Sequence, residues 1–169
     1  MLPDPLHPAV VHLPLALAAL LPIAAAAALW AIHRGARRLH AWAIPVVLAL
    51  LLLGSGWAAL ETGEAEEDRV EAVVAEGPIH EHEEAAELFM LAAGAVTLLG
   101  FIGLAGGTVG SAARLLTTAG TLAVLAAGVQ VGKAGGELVY THGAADAYTS
   151  ASGAQRTGGD HAYPEGDDR

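Results

Sequence analysis

Four long apolar runs constrain this chain more than any other feature of its sequence. They cover about residues 8–32, 41–60, 88–110 and 115–131, and none of them contains Asp, Glu, Lys or Arg. A hydrocarbon core about 30 Å thick is crossed by a helix of about 20 apolar residues, since an α-helix rises about 1.5 Å per residue. Each run therefore predicts a membrane-spanning helix.

The composition agrees with lipid as the solvent and excludes several classes of function. Only 15% of the residues are charged and 54% are hydrophobic, whereas a soluble domain has about 25% charged residues. The net charge of −10 disfavours nucleic acid as a partner, because binding to phosphate backbones needs a basic face. The chain has no cysteine, which excludes iron–sulfur clusters, thiolate zinc sites, disulfides and covalently attached haem. His, Glu, Asp and Met are left to hold any metal or cofactor.

The short loops predict the orientation, because Lys and Arg mark the cytoplasmic side of a membrane protein. The first loop, residues 33–40, has three arginines and no acid, and the third, around residues 111–114, contains Arg114. Both are predicted to lie inside the cell. The loop 61–87 and both termini then lie outside, which predicts a multi-pass membrane protein.

These elements together predict an all-α fold, an antiparallel integral membrane four-helix bundle over residues 1–142 with both termini outside. The outer loop 61–87 holds eleven of the eighteen carboxylates, and we expect its last part to lead as a helix into the third span. Residues 143–169 are rich in Gly, Ala, Ser, Thr and Asp and have few large apolar side chains. They are predicted to form a disordered acidic tail.

Five histidines are predicted to gather at the outer surface, since alternate helix ends of an antiparallel bundle meet at one face. These residues are His7, His12, His80, His82 and His142. His12 is the most informative, because it lies about one turn inside an apolar helix, where an ionisable group is costly. A simple interfacial histidine bonded to a carbonyl is the alternative interpretation.

Helical spacing limits which of these side chains can face the same neighbour. His7 and His12 are about 140° apart around a helix, so they cannot face one neighbour equally. An alternative interpretation of His7 is an anchor at the lipid headgroups. His80 and His82 are about 200° apart, so we expect only one of them to point inward. Glu61 follows the last apolar residue of the second span, where the negative helix end disfavours a carboxylate unless a partner compensates.

Several short segments resemble the signatures of the bacterial "domain of unknown function 2231" family of four-span membrane proteins. They are Leu6-His7-Pro8-Ala9-Val10-Val11-His12-Leu13-Pro14, Glu61-Thr62-Gly63, His82-Glu83-Glu84 and Gly135-Gly136-Glu137-Leu138-Val139-Tyr140-Thr141-His142-Gly143. The resemblance covers about residues 5–145. It departs from the family at Lys133, where family members often have a histidine, and this weakens any expectation of a second cofactor.

The resemblance implies a respiratory role, because family members look similar to four-helix b-type cytochromes and some are joined to cytochrome c modules. Six residues match the family motifs and are candidate cofactor-binding residues: His7, His12, Glu61, His82, Tyr140 and His142. The first hypothesis is therefore an electron-transfer subunit with haem b near the outer face, ligated by His12 with either His82 or His142. Glu61 and Tyr140 would then tune the haem through hydrogen bonds.

Two other classes of function remain open from the sequence. One is a non-haem metal-binding membrane protein, in which His12, His82 and His142, with Glu61, hold zinc, copper or iron. The other is a cofactor-free structural subunit of a membrane complex, whose acidic outer loop could also attract a basic periplasmic cytochrome c. Quinone is a further candidate ligand that no residue pattern identifies. No nucleophile motif or phosphate-binding loop is present, so a subunit is favoured over a stand-alone enzyme.

Overall fold

The computed structural model describes residues 6–148, and this part of the chain is helical, with no strand. Five helices follow one another along the chain. They are α1 (His7–Val10), α2 (His12–His33), α3 (Arg38–Glu71), α4 (Glu76–Ile102) and α5 (Gly107–Tyr140). Only Val11 separates α1 from α2, so the two act as one long helix with a break near its start.

Four helices are long and apolar enough to cross a membrane, in agreement with the four predicted spans. Each of the segments 7–33, 38–71, 76–102 and 107–140 contains an 18-residue window with a mean hydropathy between 1.6 and 2.3. At most a third of each window is buried inside the protein. Large apolar side chains such as Ile23, Leu98 and Leu122 are instead exposed on the outside of the helices, as a lipid solvent would favour.

The four long helices pack as a ring. Helix α2 contacts α3 and α5, and α4 contacts the same two helices, while the short α1 rests on α3. The turns between the long helices are short, at residues 34–37, 72–75 and 103–106, so consecutive helices run antiparallel.

Antiparallel packing gives the bundle two chemically different ends. We call the end that contains α1 and residues 61–87 the acidic end. The opposite end, with the turns 34–37 and 103–106, is called the arginine end.

The helices extend beyond the apolar runs, so several boundaries differ from those expected. Helix α3 continues through the acidic segment to Glu71, because Ala and Glu are good helix formers regardless of hydropathy. The loop expected at residues 111–114 lies instead at residues 103–106, and Arg114 is inside α5. Of the expected tail 143–169, residues 143–148 are described, with Ala144 and Ala147 buried, and the remainder lies outside the described residues.

The core is built in layers along the bundle. Leu21, Leu52, Phe89 and Val124, one from each long helix, meet in the middle layer. A separate layer at the acidic end joins the turn 72–75 to α4, α5 and the segment that follows α5. Its buried members are Val74, Ile79, Leu138 and Ala144.

Trp42 and Arg114 complete the arginine end by binding carbonyls at the end of α4 and in the turn 103–106 that follows it. Trp42 is fully buried, and its indole N–H donates to the carbonyl of Gly100 over 2.9 Å. The Arg114 guanidinium donates through Nη1 to Gly103 (2.5 Å) and Ala105 (3.2 Å). These bonds tie α3 and α5 to the last turn of α4.

Replacing Trp42 should therefore weaken the bundle, whereas replacing a surface tryptophan should not. Trp42→Phe removes the indole N–H, leaves the carbonyl of Gly100 unpaired and opens a small cavity, so we expect unfolding to become easier by about 2–4 kcal/mol. Trp57 is 62% exposed and is the matched control. Reversible unfolding in detergent measures both variants, and equal losses would contradict the role given to Trp42.

Candidate functional site

His7 and His82 face each other at the acidic end of the bundle. Their ring centroids are 6.3 Å apart and their ring planes are inclined by 85°. His7 is contributed by α1 and His82 by the second turn of α4, and both side chains are partly buried. We call these two residues the histidine pair.

The ring of His7 is held by the backbone of α3. Its Nδ1 atom lies 2.9 Å from the carbonyl oxygen of Ala59 and 3.3 Å from Oγ1 of Thr62. The Thr62 hydroxyl donates to the carbonyls of Ala58 and Ala59, so toward His7 it can only accept. Because both neighbours of Nδ1 are acceptors, Nδ1 carries the ring hydrogen in a neutral imidazole. The lone pair then lies on Nε2.

Gly63 lets His7 lie this close to the helix. It is one turn beyond Ala59, and a Cβ atom at Gly63 would be 3.2 Å from Cε1, 3.3 Å from Nδ1 and 3.9 Å from Nε2 of the ring. Such contacts are tighter than ordinary van der Waals packing. The bare backbone at Gly63 therefore forms a shallow seat for the imidazole, with Nε2 turned away from it.

The same arrangement recurs where His82 meets α5. A Cβ atom at Gly135 would be 3.2 Å from Cε1, 3.6 Å from Nδ1 and 3.9 Å from Nε2 of His82. The ring approaches the carbonyl of Val131, one turn before Gly135. Each histidine thus meets a carbonyl and a glycine four residues later on the neighbouring helix.

One atom of the pair has no partner. Nδ1 of His82 is buried and makes no hydrogen bond to any residue between 6 and 148. An unpaired buried polar atom costs about 1–3 kcal/mol, and in native proteins it commonly marks a functional group or the place of an ion. The histidine pair is therefore not explained by packing alone.

The spacing of the two rings suits a single atom between them. A metal–imidazole bond is about 2 Å long and the ring nitrogen is roughly 1 Å from its centroid, so two imidazoles on opposite sides of a metal have centroids roughly 6 Å apart. The observed 6.3 Å matches this value. Two imidazoles at this separation could hold one metal atom between them.

Glu66 anchors the N-terminal side of the site. Its Oε1 atom accepts hydrogen bonds from the backbone N–H groups of Leu6 (2.7 Å) and His7 (3.0 Å). Its Oε2 atom accepts a hydrogen bond of 2.6 Å from the hydroxyl of Tyr148, whose ring lies 5.4 Å from the guanidinium carbon of Arg69. One carboxylate on α3 therefore fixes both the start of α1 and the segment after α5.

The structure does not bring the other predicted site residues to the pair. His12 is the first residue of α2, and its side chain is exposed on the outside of the bundle, as are those of Glu61 and His142. Tyr140 is 90% exposed. His80 also points outward, with ring nitrogens 3.7 Å from Glu83 and 3.4 Å from Glu84.

Sequence reasoning missed the parts played by Gly63, Gly135 and Glu66. Gly63 and Gly135 belong to the segments that resemble the family signatures, so these segments meet around the histidine pair although they are far apart in the chain. Their place in these segments was the one feature of the sequence that could have identified the two glycines as part of the site. Nothing in the sequence distinguishes Glu66 from the acidic residues around it.

No third ligand joins the pair. Within residues 6–148, no three His, Asp or Glu side chains are grouped so that they could hold a metal ion. Two shallow surface cavities of about 380 and 400 Å³ lie elsewhere, one beside Glu71 and Val74 and the other beside Glu84 and Leu88. The chemistry available at the site is that of two facing imidazoles.

Comparisons of the chain with protein-family models, curated proteins and solved structures found no match.

Filling the seat of His82 should displace its ring. We expect Gly135→Ala to lower the free energy of unfolding by about 1–3 kcal/mol through overpacking, and to make His82 react several-fold faster with diethyl pyrocarbonate. Gly136→Ala is the matched control, because a Cβ atom there would meet nothing within 4 Å. Peptide mass spectrometry measures the modification. Equal reactivity of His82 in the two variants would contradict the claim that the bare backbone at Gly135 makes room for its ring.

Removing the Glu66 carboxylate should release the start of α1. In Glu66→Ala, the amides of Leu6 and His7 lose their acceptor, and we expect faster hydrogen exchange there and a loss of about 1–2 kcal/mol in stability. Glu64 is exposed on the same helix, and Glu64→Ala removes the same charge as a control. If hydrogen–deuterium exchange shows α1 unchanged in Glu66→Ala, Glu66 is not its anchor.

Proposed function

We propose that this protein is an electron-transfer subunit of the bacterial inner membrane that binds haem b through His7 and His82. One observation carries the proposal, namely the two opposed imidazoles at the acidic end of a four-helix bundle. The proposal keeps the cofactor expected from the sequence and changes its ligands, since His12 and His142 lie on the outside of the bundle.

The donor set fits a haem better than it fits a bare zinc site. Structural and catalytic zinc sites use three or four protein ligands, and the described residues offer two. Haem iron would receive four nitrogens from its own macrocycle, and His7 and His82 would supply the two further ligands that it needs.

When bound, haem supplies a reversible one-electron couple, and the protein controls its ligands. The carbonyl of Ala59 accepts from Nδ1 of His7, which fixes the tautomer and makes Nε2 a stronger donor. The layer of Val74, Ile79 and Leu138 limits water at this end, and a drier site changes the reduction potential. Glu66 holds the backbone of His7 in place.

The orientation of the protein follows from charge. Arg34, Arg37, Arg38 and Arg114 all belong to the arginine end, which we assign to the cytoplasm. The acidic end and both termini then lie outside, beside a periplasm in which basic cytochromes c diffuse. The acidic residues around the histidine pair would raise the association rate of such a partner, and salt would reduce this effect.

The resemblance to the "domain of unknown function 2231" family supports the same proposal. The residues that carry it include His7, Gly63, His82 and Gly135, and these are the residues that build the histidine pair and its seats.

The optical spectrum of the purified protein tests the proposal. We expect the protein from haem-replete cells to show a reduced-minus-oxidised spectrum of low-spin haem b. In His7→Ala and in His82→Ala, we expect the haem content to fall by roughly tenfold or more, since a lost axial ligand costs at least as much as the 10–100-fold reported for supporting groups.

The exposed histidines provide matched controls for this experiment. His12→Ala and His142→Ala each remove one imidazole from the same end of the bundle, and both should keep the full haem content. A colourless wild-type protein would exclude haem b. Equal haem loss in the His12→Ala and His82→Ala variants would reject the assigned ligands.

A single metal ion held by the histidine pair is the second candidate. The observation that favours it is the centroid separation of 6.3 Å, which suits one metal atom between the two rings. Imidazole suits copper, zinc and iron, and cuprous copper accepts two opposed ligands. Elemental analysis of a colourless preparation would support this candidate if the metal is lost in His82→Ala and kept in His142→Ala.

A further inference from the structure

The arginine end of the bundle carries positive charge without any compensating acid. The chain has no Asp or Glu between residues 6 and 60 or between residues 88 and 136. All the carboxylates among residues 6–148 therefore belong to the acidic end or to the C-terminal part of α5 and the segment after it. Arg38 and Arg114, which both flank the turn 103–106, have no carboxylate in reach within this range.

Arg114 is buried but satisfied. It is 6% exposed, and its guanidinium donates to the carbonyls of Gly103 and Ala105 and to Oγ of Ser111. These partners are dipoles, which stabilise the cation without neutralising its charge. Arg114 is therefore part of the architecture, and it adds a fixed positive charge at this end.

Arg38 has a different environment. Its Nε atom is buried and has no hydrogen-bond partner in the part of the chain that the structure describes. It lies near enough to Arg114 for the two positive charges to repel each other. Two guanidinium groups that share a site without an acid are costly unless an anion joins them.

The turn 103–106 places a helix N-terminus beside Arg38. A Cβ atom at Gly106 would lie 3.4 Å from Nη1 and 3.7 Å from Nη2 of Arg38. Gly106 is the residue before α5, and no side chain caps this helix end. The guanidinium of Arg38 therefore lies beside the start of α5, and both groups favour negative charge.

We propose that the arginine end binds a phosphate group between Arg38 and the first turn of α5, with Arg114 supplying a second positive charge. Planar guanidinium groups and helix N-termini are both suited to phosphate oxygens. The phosphate can come from an anionic lipid headgroup, since basic pockets on the cytoplasmic side of membrane helices bind such lipids, or from inorganic phosphate. This site does not depend on the function of the histidine pair.

Thermal unfolding of the full-length protein in dodecyl maltoside tests the site. Phosphatidylglycerol is titrated in one arm and inorganic phosphate in another, with phosphatidylcholine and chloride at equal ionic strength as the references. We expect wild type to be stabilised by at least one of the two anions. Stabilisation by phosphatidylglycerol alone identifies a lipid headgroup, and stabilisation by inorganic phosphate identifies the free anion.

Two arginine variants separate a specific site from general charge. Arg38→Gln should weaken the apparent affinity for the effective anion by about tenfold or more, as expected for a lost charge-assisted bond. Arg37→Gln removes the same charge from the same turn, but its side chain is exposed, so it measures the effect of net charge alone. Arg38→Lys keeps the charge but loses the planar guanidinium. We expect its apparent affinity for the anion to lie between those of Arg37→Gln and Arg38→Gln.

The stability of Arg38→Gln without any anion gives a second criterion. Because one of two repelling charges is removed, this variant should unfold at the same temperature as wild type or at a higher one in lipid-free detergent with chloride. Equal loss of affinity in Arg37→Gln and Arg38→Gln would overturn the proposal. So would a lack of response of wild type to both anions, or a lower unfolding temperature of Arg38→Gln in their absence. If Arg38→Gln cannot be purified, the comparison of Arg38→Lys with Arg37→Gln decides.

Discussion

The close approach of an imidazole ring to bare helix backbone is the interaction on which the acidic end of this protein depends. It occurs twice, with His7 on Gly63 and His82 on Gly135. In each case the histidine and the glycine lie on different helices, and a carbonyl one turn before the glycine meets the ring. A Cβ atom in place of either glycine would lie 3.2 Å from the ring, so the ring would have to shift. The separation of the rings is therefore set by the packing of the helices.

The two ends of the bundle satisfy different backbone groups, carbonyls at the arginine end and N–H groups at the acidic end. At the arginine end, Trp42 binds a carbonyl of the last turn of α4 and Arg114 binds carbonyls of the turn that follows, so polar side chains complete the backbone hydrogen bonds of an apolar bundle. At the acidic end, the carboxylate of Glu66 satisfies backbone N–H groups of α1 and receives the hydroxyl of Tyr148. Backbone groups near the membrane must be satisfied within the protein, and this chain achieves it with a few side chains at each end.

The sequence predicted the all-helical fold and its four long apolar helices, because apolar runs of that length have few other stable structures in lipid. It did not predict where the helices end. Hydropathy marks the part of a helix that suits lipid, whereas residues such as Glu71 and Arg114 continue the helix beyond that part.

The site was harder to predict than the fold. Topology indicated correctly that His7 and His82 belong to one end, but His12 drew attention because it begins an apolar helix, and the structure leaves its side chain exposed. Which face of a helix points inward depends on packing, and the hydrophobic pattern of this chain is nearly uniform around its helices. Only contacts in three dimensions distinguish His7 from His12. The predicted cofactor stays a prediction.

The electron paramagnetic resonance spectrum of the oxidised protein tests most directly the claim that His7 and His82 are opposed axial ligands. The ring planes of the pair are inclined by 85°, and nearly perpendicular imidazoles on a ferric haem produce a low-spin signal of large anisotropy. The account predicts this signal in wild type and in His12→Ala, and its loss in His82→Ala. A high-spin haem signal in wild type, or a low-spin signal that survives in His82→Ala, would contradict it.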